Sequence, residues 1–128
     1  MGQQQLLLIV LGVIIVGIAI VVGINLFNAN AVSSNRDAVI SDLNNLGALA
    51  TQYYMKPSSM GGGGNTFTGW TIPATLDSTA NGTYNNPAPT VTGTTVTIVG
   101  KGTQKVGGSP VQATATVTQT GTTIVVNN

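Results

Sequence analysis

The ionisable side chains of this chain are few, and their types exclude most enzyme chemistry. The sequence has no histidine and no cysteine, and only four basic and three acidic side chains. The acids are all aspartates: Asp37, Asp42 and Asp77. General bases, thiolate nucleophiles and transition-metal ligands come mainly from histidine, cysteine and glutamate. We therefore expect no enzyme and no cofactor, and the net charge of +1 indicates no direct nucleic-acid binding.

One segment has part of the spacing of a calcium-binding loop. Oxygen-bearing residues stand at alternate positions from Asp77 and precede Gly82, as in calcium loops. The twelfth position, where such loops carry a bidentate acid, is Ala88. We interpret the segment as a plain turn and predict no metal site, with calcium as the alternative. Asn81 also begins an N-glycosylation sequon, which makes it a candidate for glycosylation.

Three further features have both a chemical and a structural interpretation. The four glycines at 61–64 lack the Lys-Ser/Thr of a phosphate loop, so a flexible connector is predicted. Arg36 and Asp37 could pair between subunits, although an exposed local contact is the default interpretation. Eighteen of the nineteen threonines lie beyond residue 65. They could carry O-linked sugar, although ordinary β-forming residues on a solvated face are favoured.

Residues 6–24 form a run of 19 side chains without a charge or a hydrogen-bonding group. At ~1.5 Å per residue a helix of this length spans ~28 Å, enough for a membrane-spanning candidate. The preceding residues 1–5 carry no Lys or Arg, unlike the start of a signal peptide or the cytoplasmic flank of an anchor. Removal of a short basic leader is one explanation. Three glycines interrupt the run, either as tolerated residues or as a close-packing face: Gly12, Gly17 and Gly23.

The helical pattern continues beyond the apolar run. Apolar residues recur at spacings of three, four and seven, as on one face of an amphipathic helix: Val32, Val39, Leu43, Leu46, Ala50 and Tyr53. The helix should stop at Lys56-Pro57, because the residue before proline avoids the α conformation. We predict one helix over about residues 3–56. A second helix that starts at a cap near Ser34 is the alternative.

The threonine-rich remainder alternates apolar and polar residues, which predicts an antiparallel sheet. The expected strands are 66–72, 95–99, 111–118 and 122–126. A β head of this size is marginally stable alone, because it has no disulfide and no obvious metal site. It should therefore fold against the apolar face of the amphipathic helix half. The predicted head–stalk core is Val39, Leu43, Leu46, Tyr53 and Trp70. The fold class is thus α+β, with four segments: an apolar helix half 1–25, an amphipathic half 26–56, a glycine-rich connector 57–65 and a β head 66–128.

This order of elements resembles that of type IV pilins and their pseudopilin relatives. The resemblance covers the whole chain and is strongest over residues 1–73. It includes Ala48-Leu-Ala-Thr-Gln-Tyr-Tyr-Met-Lys-Pro57 and the passage from the four glycines to Trp70, which are similar to bacterial pilin junctions between helix and head. In that family a prepilin peptidase removes a basic leader. Subunits then wait in the inner membrane before assembly into a filament.

Two positions depart from the bacterial pattern. Bacterial pilins usually carry glutamate as the fifth mature residue, and the matching residue here is Gln5 if Met1 is the mature start. Glutamine hydrogen-bonds but cannot neutralise an ammonium group. A start at Gln3 would instead resemble archaeal-type pilins, although a bacterial origin is preferred. The apolar half also lacks the proline at which many pilin helices melt, so an uninterrupted helix is expected, weakest at 12–17.

The resemblance implies a structural subunit of an extracellular type IV pilus, used in adhesion, motility or DNA uptake. Its partners would be copies of itself, the inner-membrane assembly machinery, the prepilin peptidase, and the membrane before assembly. The alternatives are a pseudopilin of a secretion or competence machine and a single-pass, membrane-anchored binding protein. The expected filament-core residues are Gln5, Leu6, Leu7, Leu11, Ile14, Ile15, Ile18 and Val22.

Overall fold

The computed structural model describes residues 2–85 and 87–128. It contains one long helix followed by five antiparallel strands, which confirms the predicted α+β class, a layout consistent with a pilin-like fold. The elements are α1 (Gln3–Met55), a short 3₁₀ turn (Ser58–Met60), β1 (Gly82–Thr83), β2 (Thr90–Val91), β3 (Thr95–Val106), β4 (Ser109–Thr118) and β5 (Gly121–Val126).

The helix α1 ends at Met55, one residue before the predicted end and two before Pro57. Residues 34–37 are helical, so no second helix begins at Ser34. The glycine positions 12, 17 and 23 are helical too. The chain divides into two compact units, an N-terminal unit, Met1–Ala31, and a C-terminal unit, Val32–Asn128.

The sheet of the C-terminal unit is built around β3, which pairs with β4 on one side and with both β1 and β2 on the other. β5 pairs with β4. Gly107 and Gly108 join β3 to β4 with φ of +59° and +85°. Positive φ at both central residues is the geometry of a type I′ hairpin turn, whose twist matches that of the strands. A two-residue turn at 119–120 joins β4 to β5, since Thr118 pairs with Gly121.

Three predicted strands are found, but the predicted strand over 66–72 is wrong. This segment is irregular apart from a turn at residues 68–69, where the Trp70 amide donates to the Phe67 carbonyl at 3.0 Å. Gly69 has φ of +90°, far from the φ of about −120° to −140° of regular strands. Phe67 and Trp70 are nevertheless buried, because the loop inserts their rings into the core. The two-residue strands β1 and β2 lie where a turn-rich loop or no strand was predicted.

The core lies between the inner face of the sheet and residues 39–50 of α1. Alternate residues of β3 and β4 are buried, which is the pattern of a sheet with one dry face. Of the predicted head–stalk core residues, Val39, Leu43, Leu46 and Trp70 are buried. Tyr53 is half-buried and its hydroxyl donates to the Thr68 carbonyl at 2.8 Å. The other buried side chains are Ala50, Phe67, Ile72, Tyr84, Val96, Ile98, Val111, Ala113, Ala115 and Val117.

The glycine tract caps the end of α1 with backbone hydrogen bonds. The amides of Gly63, Gly64 and Asn65 donate to carbonyls of the last helical turn and of Lys56, at 2.7–2.9 Å. These bonds satisfy carbonyls that a helix end leaves without partners. A Cβ at Gly62 or Gly63 would collide with backbone atoms, so only glycine fits there.

Candidate assembly surface

The apolar surface of the N-terminal unit is exposed throughout. Every Leu, Ile, Val and Phe from residue 6 to residue 27 is more than half exposed, from 52% at Ile14 to 73% at Phe27. The predicted filament-core residues all lie on this surface, and Gln5 at its beginning is exposed as well. Because single exposed apolar residues are normal but large contiguous patches are not, this surface calls for a partner.

The surface has no polar face. Residues 6–24 contain only Leu, Ile, Val, Ala and Gly, so every direction around the helix axis is apolar. A helix that lies on one side of a protein needs only a single apolar stripe, whereas a helix that is apolar all round is surrounded. The surroundings must therefore be lipid or several other apolar helices.

Open grooves run along the surface of this helix. One groove of about 390 Å³ is lined by residues at helical spacings of three and four: Ile14, Gly17, Ile18, Val21 and Val22. It brings three predicted core residues, Ile14, Ile18 and Val22, to one face beside Gly17. Apart from the neighbouring residues and the helix's own backbone, no heavy atom lies within 4 Å of a Cβ placed at Gly12, Gly17 or Gly23. A ridge of side chains from a second helix can enter such a groove.

Leu6, Leu7 and Leu11 line two further grooves near the beginning of the helix. Leu6 and Leu7 share one of about 310 Å³, and Leu7 and Leu11 share one of about 330 Å³. Ile15 is exposed at 57%. At about 100° per residue, six of the eight predicted core residues share one face of the helix, and only Gln5 and Leu6 point elsewhere. The six are Leu7, Leu11, Ile14, Ile15, Ile18 and Val22.

Asn81 lies in a cluster of polar side chains around Asp42 in the C-terminal unit. The Oδ2 atom of Asp42 accepts hydrogen bonds from the Thr79 hydroxyl at 3.0 Å, from Asn81 Nδ2 at 3.2 Å and from the Tyr84 hydroxyl. We call these four residues the Asp42 cluster. Asn81 is half-buried, and its Nδ2, where an N-linked sugar would attach, faces Asp42.

Asn35 makes a second attachment between α1 and the rest of the C-terminal unit. This buried side chain donates to the Asn81 carbonyl at 2.8 Å and accepts from the Gln104 amide at 3.2 Å. The Asp42 cluster and Asn35 therefore hold the loop 77–84 and strand β3 against α1.

Burial raises the pKa of the Tyr84 phenol, and its hydrogen bond to the Asp42 carboxylate raises it further. Neither the Asp42 cluster nor Asn35 therefore provides an activated nucleophile.

The segment that resembled part of a calcium loop is a tight hairpin. Thr79 and Gly82 exchange backbone hydrogen bonds at 2.8 and 3.3 Å, and the Tyr84 amide donates to the Asp77 carbonyl at 2.8 Å. The side chains of Thr79 and Asn81 bind Asp42. Across residues 2–85 and 87–128, no three Asp, Glu, His or Cys side chains come together.

By length and composition, α1 is able to cross a membrane: its most apolar 18-residue window has a mean hydropathy of 3.3 and none of it is buried. This is weak support for membrane association.

The chain matches no protein-family model, no curated protein and no solved structure. The structure thus has one long helix with an exposed apolar surface, followed by an antiparallel sheet, a layout consistent with a pilin-like fold.

Proposed function

We propose that this chain is the structural subunit of an extracellular type IV pilus, and that it polymerises through the apolar surface of residues 6–27. The observation that carries the proposal is that this surface is exposed in every direction while the C-terminal unit has a closed core of its own. A helical bundle of identical subunits would surround each apolar helix with others.

Burial between subunits would supply the energy of assembly. Each buried Leu, Ile or Val side chain contributes about 1.5–3 kcal/mol relative to an exposed one. The groove at Gly17 allows two helix backbones to approach closely, which favours helix neighbours over lipid. Lipid would cover the same surface before assembly, so we place the subunit in the inner membrane at that stage. A prepilin peptidase and the pilus assembly machinery are the partners that this proposal requires.

A single-pass membrane-anchored protein is the second candidate, and the hydropathy of α1 favours it. The two functions differ in where the protein is found after mechanical shear of intact cells. A filament subunit enters the cell-free supernatant as long fibres, whereas an anchored protein stays with the membrane.

The substitution Ile14→Asp tests the proposal, because it would bury an unpaired carboxylate at every repeat of the filament core. We expect no fibres in the sheared fraction. Asn44→Asp is the matched control, since it introduces the same charge at an exposed position of α1 and should leave the fibre yield unchanged. Normal fibres from the Ile14→Asp variant would refute assembly through this surface.

A further inference from the structure

The hairpin formed by β3 and β4 extends beyond the core of the C-terminal unit. Every residue from 103 to 109 is exposed, so neither face of this part of the hairpin is covered. We call residues 103–109 the hairpin tip. Burial of apolar surface is the dominant favourable contribution to folding, so a segment exposed on both faces adds little to stability and is free for another role.

Two asparagine side chains hold the hairpin tip in place. Asn35 Oδ1 accepts a hydrogen bond from the Gln104 amide at 3.2 Å, which attaches the tip to α1. Asn128 Nδ2 donates to three carbonyl oxygens at 3.1–3.4 Å, one on β3 and two on β4. The tip is therefore positioned by hydrogen bonds rather than by apolar packing.

The hairpin tip lies at the end of the C-terminal unit where the unit begins. β3 runs antiparallel to α1, since a Cβ at Gly100 would meet Val39 and one at Gly102 would meet Asn35. Two strand residues span ~6.6 Å and four helix residues ~6 Å, so the two elements run side by side. The residues that follow Gly102 therefore lie on the side of α1 that precedes Asn35.

The hairpin also reaches farther than the start of the unit. From Val111, whose Cβ faces Gly102, to Gly108 in the turn, three strand residues span ~10 Å. From Asn35 to Val32, the first residue of the unit, three helix residues span only ~4.5 Å. Four helical residues, which span ~7.5 Å, connect Val32 to the end of the apolar surface. A bilayer that covers that surface therefore ends close to the tip.

The charged side chains of the sheet are all basic and belong to this hairpin. From residue 78 to residue 128, the only charged side chains are Lys101 and Lys105. Lys101 precedes the tip and Lys105 lies within it, next to Val106, an apolar side chain that is 37% exposed. The hairpin thus presents positive charge together with apolar surface, a combination that suits an anionic membrane surface.

A second copy of the chain offers these lysines few partners. Of its three carboxylates, Asp42 and Asp77 are half-buried, and only Asp37 is exposed. Arg36, which is next to Asp37 in the sequence, offsets the charge of that one carboxylate. A bilayer with anionic lipids instead presents many phosphates in one plane, so charge complementarity favours lipid over another copy.

We propose that the hairpin tip docks on the anionic headgroups of the bilayer that holds the apolar helix before assembly. The inference rests on the membrane stage of the proposed function, a stage that a membrane-anchored protein would share. Lysine ammonium groups bind lipid phosphates, and their apolar stems let them extend to the interface. Contact through one hairpin fixes which side of the C-terminal unit faces the membrane while the subunit waits for assembly.

Fluorescence quenching in proteoliposomes tests the docking with the full chain. The chain has no cysteine, so Ser109→Cys provides one labelling site in the tip. Thr120→Cys is the matched control, because it lies in the exposed turn at the opposite end of β4. Each labelled variant is placed in phosphatidylcholine vesicles that contain a lipid with a nitroxide quencher on its headgroup. A parallel set of vesicles also contains an equal share of phosphatidylglycerol.

We expect the label at Ser109 to be quenched about fivefold more strongly in the vesicles with phosphatidylglycerol, and the label at Thr120 equally weakly in both. Replacing both hairpin lysines, by Lys101→Gln and Lys105→Gln, should return the tip label to its value in neutral vesicles. Lys56→Gln is the control for charge, because it removes an exposed basic side chain just after α1 and should leave the quenching unchanged. The fluorescence of the single tryptophan checks that the variants fold.

The outcomes separate this inference from the proposed function. Equal quenching of the tip label in both kinds of vesicle would overturn the docking, and so would unchanged quenching in the variant without the two lysines. Quenching that falls as the protein is crowded at constant lipid composition would assign the tip to a second copy and overturn the docking as well. A chain that does not float with the vesicles would instead refute the membrane stage of the proposed function, and the docking with it.

Discussion

Asp42 should be the polar side chain whose loss costs the C-terminal unit most. Its Oδ2 atom is the common acceptor for Thr79, Asn81 and Tyr84, and so joins α1 to the loop 77–84. Tyr84 is fully buried, so its hydroxyl cannot turn to water when the acceptor is removed. The substitution Asp42→Ala therefore leaves a buried donor unsatisfied in addition to breaking three hydrogen bonds.

The expected loss follows from these contacts. Hydrogen bonds to charged groups contribute about 1.5–3 kcal/mol each, and an unsatisfied buried group costs about 1–3 kcal/mol. Asp42 is itself only half-buried, so water replaces part of what Thr79 and Asn81 lose. The three bonds share one oxygen and are not additive. We expect Asp42→Ala to lower the free energy of unfolding by about 2–4 kcal/mol.

Urea unfolding of the full-length chain in detergent micelles measures this loss. Trp70 is the single tryptophan and is 6% exposed, so its fluorescence reports the unfolding of the core. Asp37→Ala is the matched control, because it removes an exposed carboxylate from the same helix and should shift the free energy by less than about 0.5 kcal/mol. Equal transition midpoints for the two variants would refute the role assigned to Asp42.

Two further predictions concern the same unfolding transition. Gly63→Ala should destabilise the chain by more than about 2 kcal/mol, because its Cβ would collide with the Thr66 carbonyl and the Tyr53 ring. Gly12→Ala is the control and should not lower the midpoint, because its Cβ would meet no atom beyond the neighbouring residues and the helix's own backbone. The raised pKa of Tyr84 keeps its phenol protonated in the folded state, so stability should fall by up to ~1.4 kcal/mol per pH unit above the unfolded pKa of ~10. Tyr84→Phe should be less stable at neutral pH and should lack that slope; an equal slope in both proteins would contradict the assignment to Tyr84.

The sequence predicted the elements whose pattern is local. The spacing of Val39, Leu43 and Leu46 marks the buried face of α1, because a helical face repeats every three or four residues. The alternation in 95–99 and 111–118 likewise predicts which faces of β3 and β4 are buried. Both patterns need only neighbouring residues, so they can be read without knowledge of the fold.

The remaining features depend on partners that are distant in the sequence. Asp42 accepts hydrogen bonds from Thr79, Asn81 and Tyr84, which lie 37–42 residues further along the sequence. The residues around Asp42 form no pattern that predicts these contacts. The strand predicted over 66–72 was wrong because buried aromatic residues enter a core from a loop as readily as from a strand. The close approach of backbone atoms that requires glycine at positions 62 and 63 likewise appears only in the folded chain.

The sequence predicts where the candidate assembly surface lies, but it does not show whether lipid or other helices cover that surface. The composition of residues 6–24 demands an apolar environment whatever the fold. The groove beside Gly17 depends on the helical geometry, which the structure supplies.

Helical reconstruction by cryo-electron microscopy of material sheared from intact cells measures most directly where residues 6–27 are buried. We expect thin fibres of a single repeating subunit, with these helices bundled at the axis and the threonine-rich sheets facing water. A chain that stays in the membrane fraction and dissolves in detergent as dispersed monomers, with no fibre at any stage, would contradict self-assembly through the apolar helix.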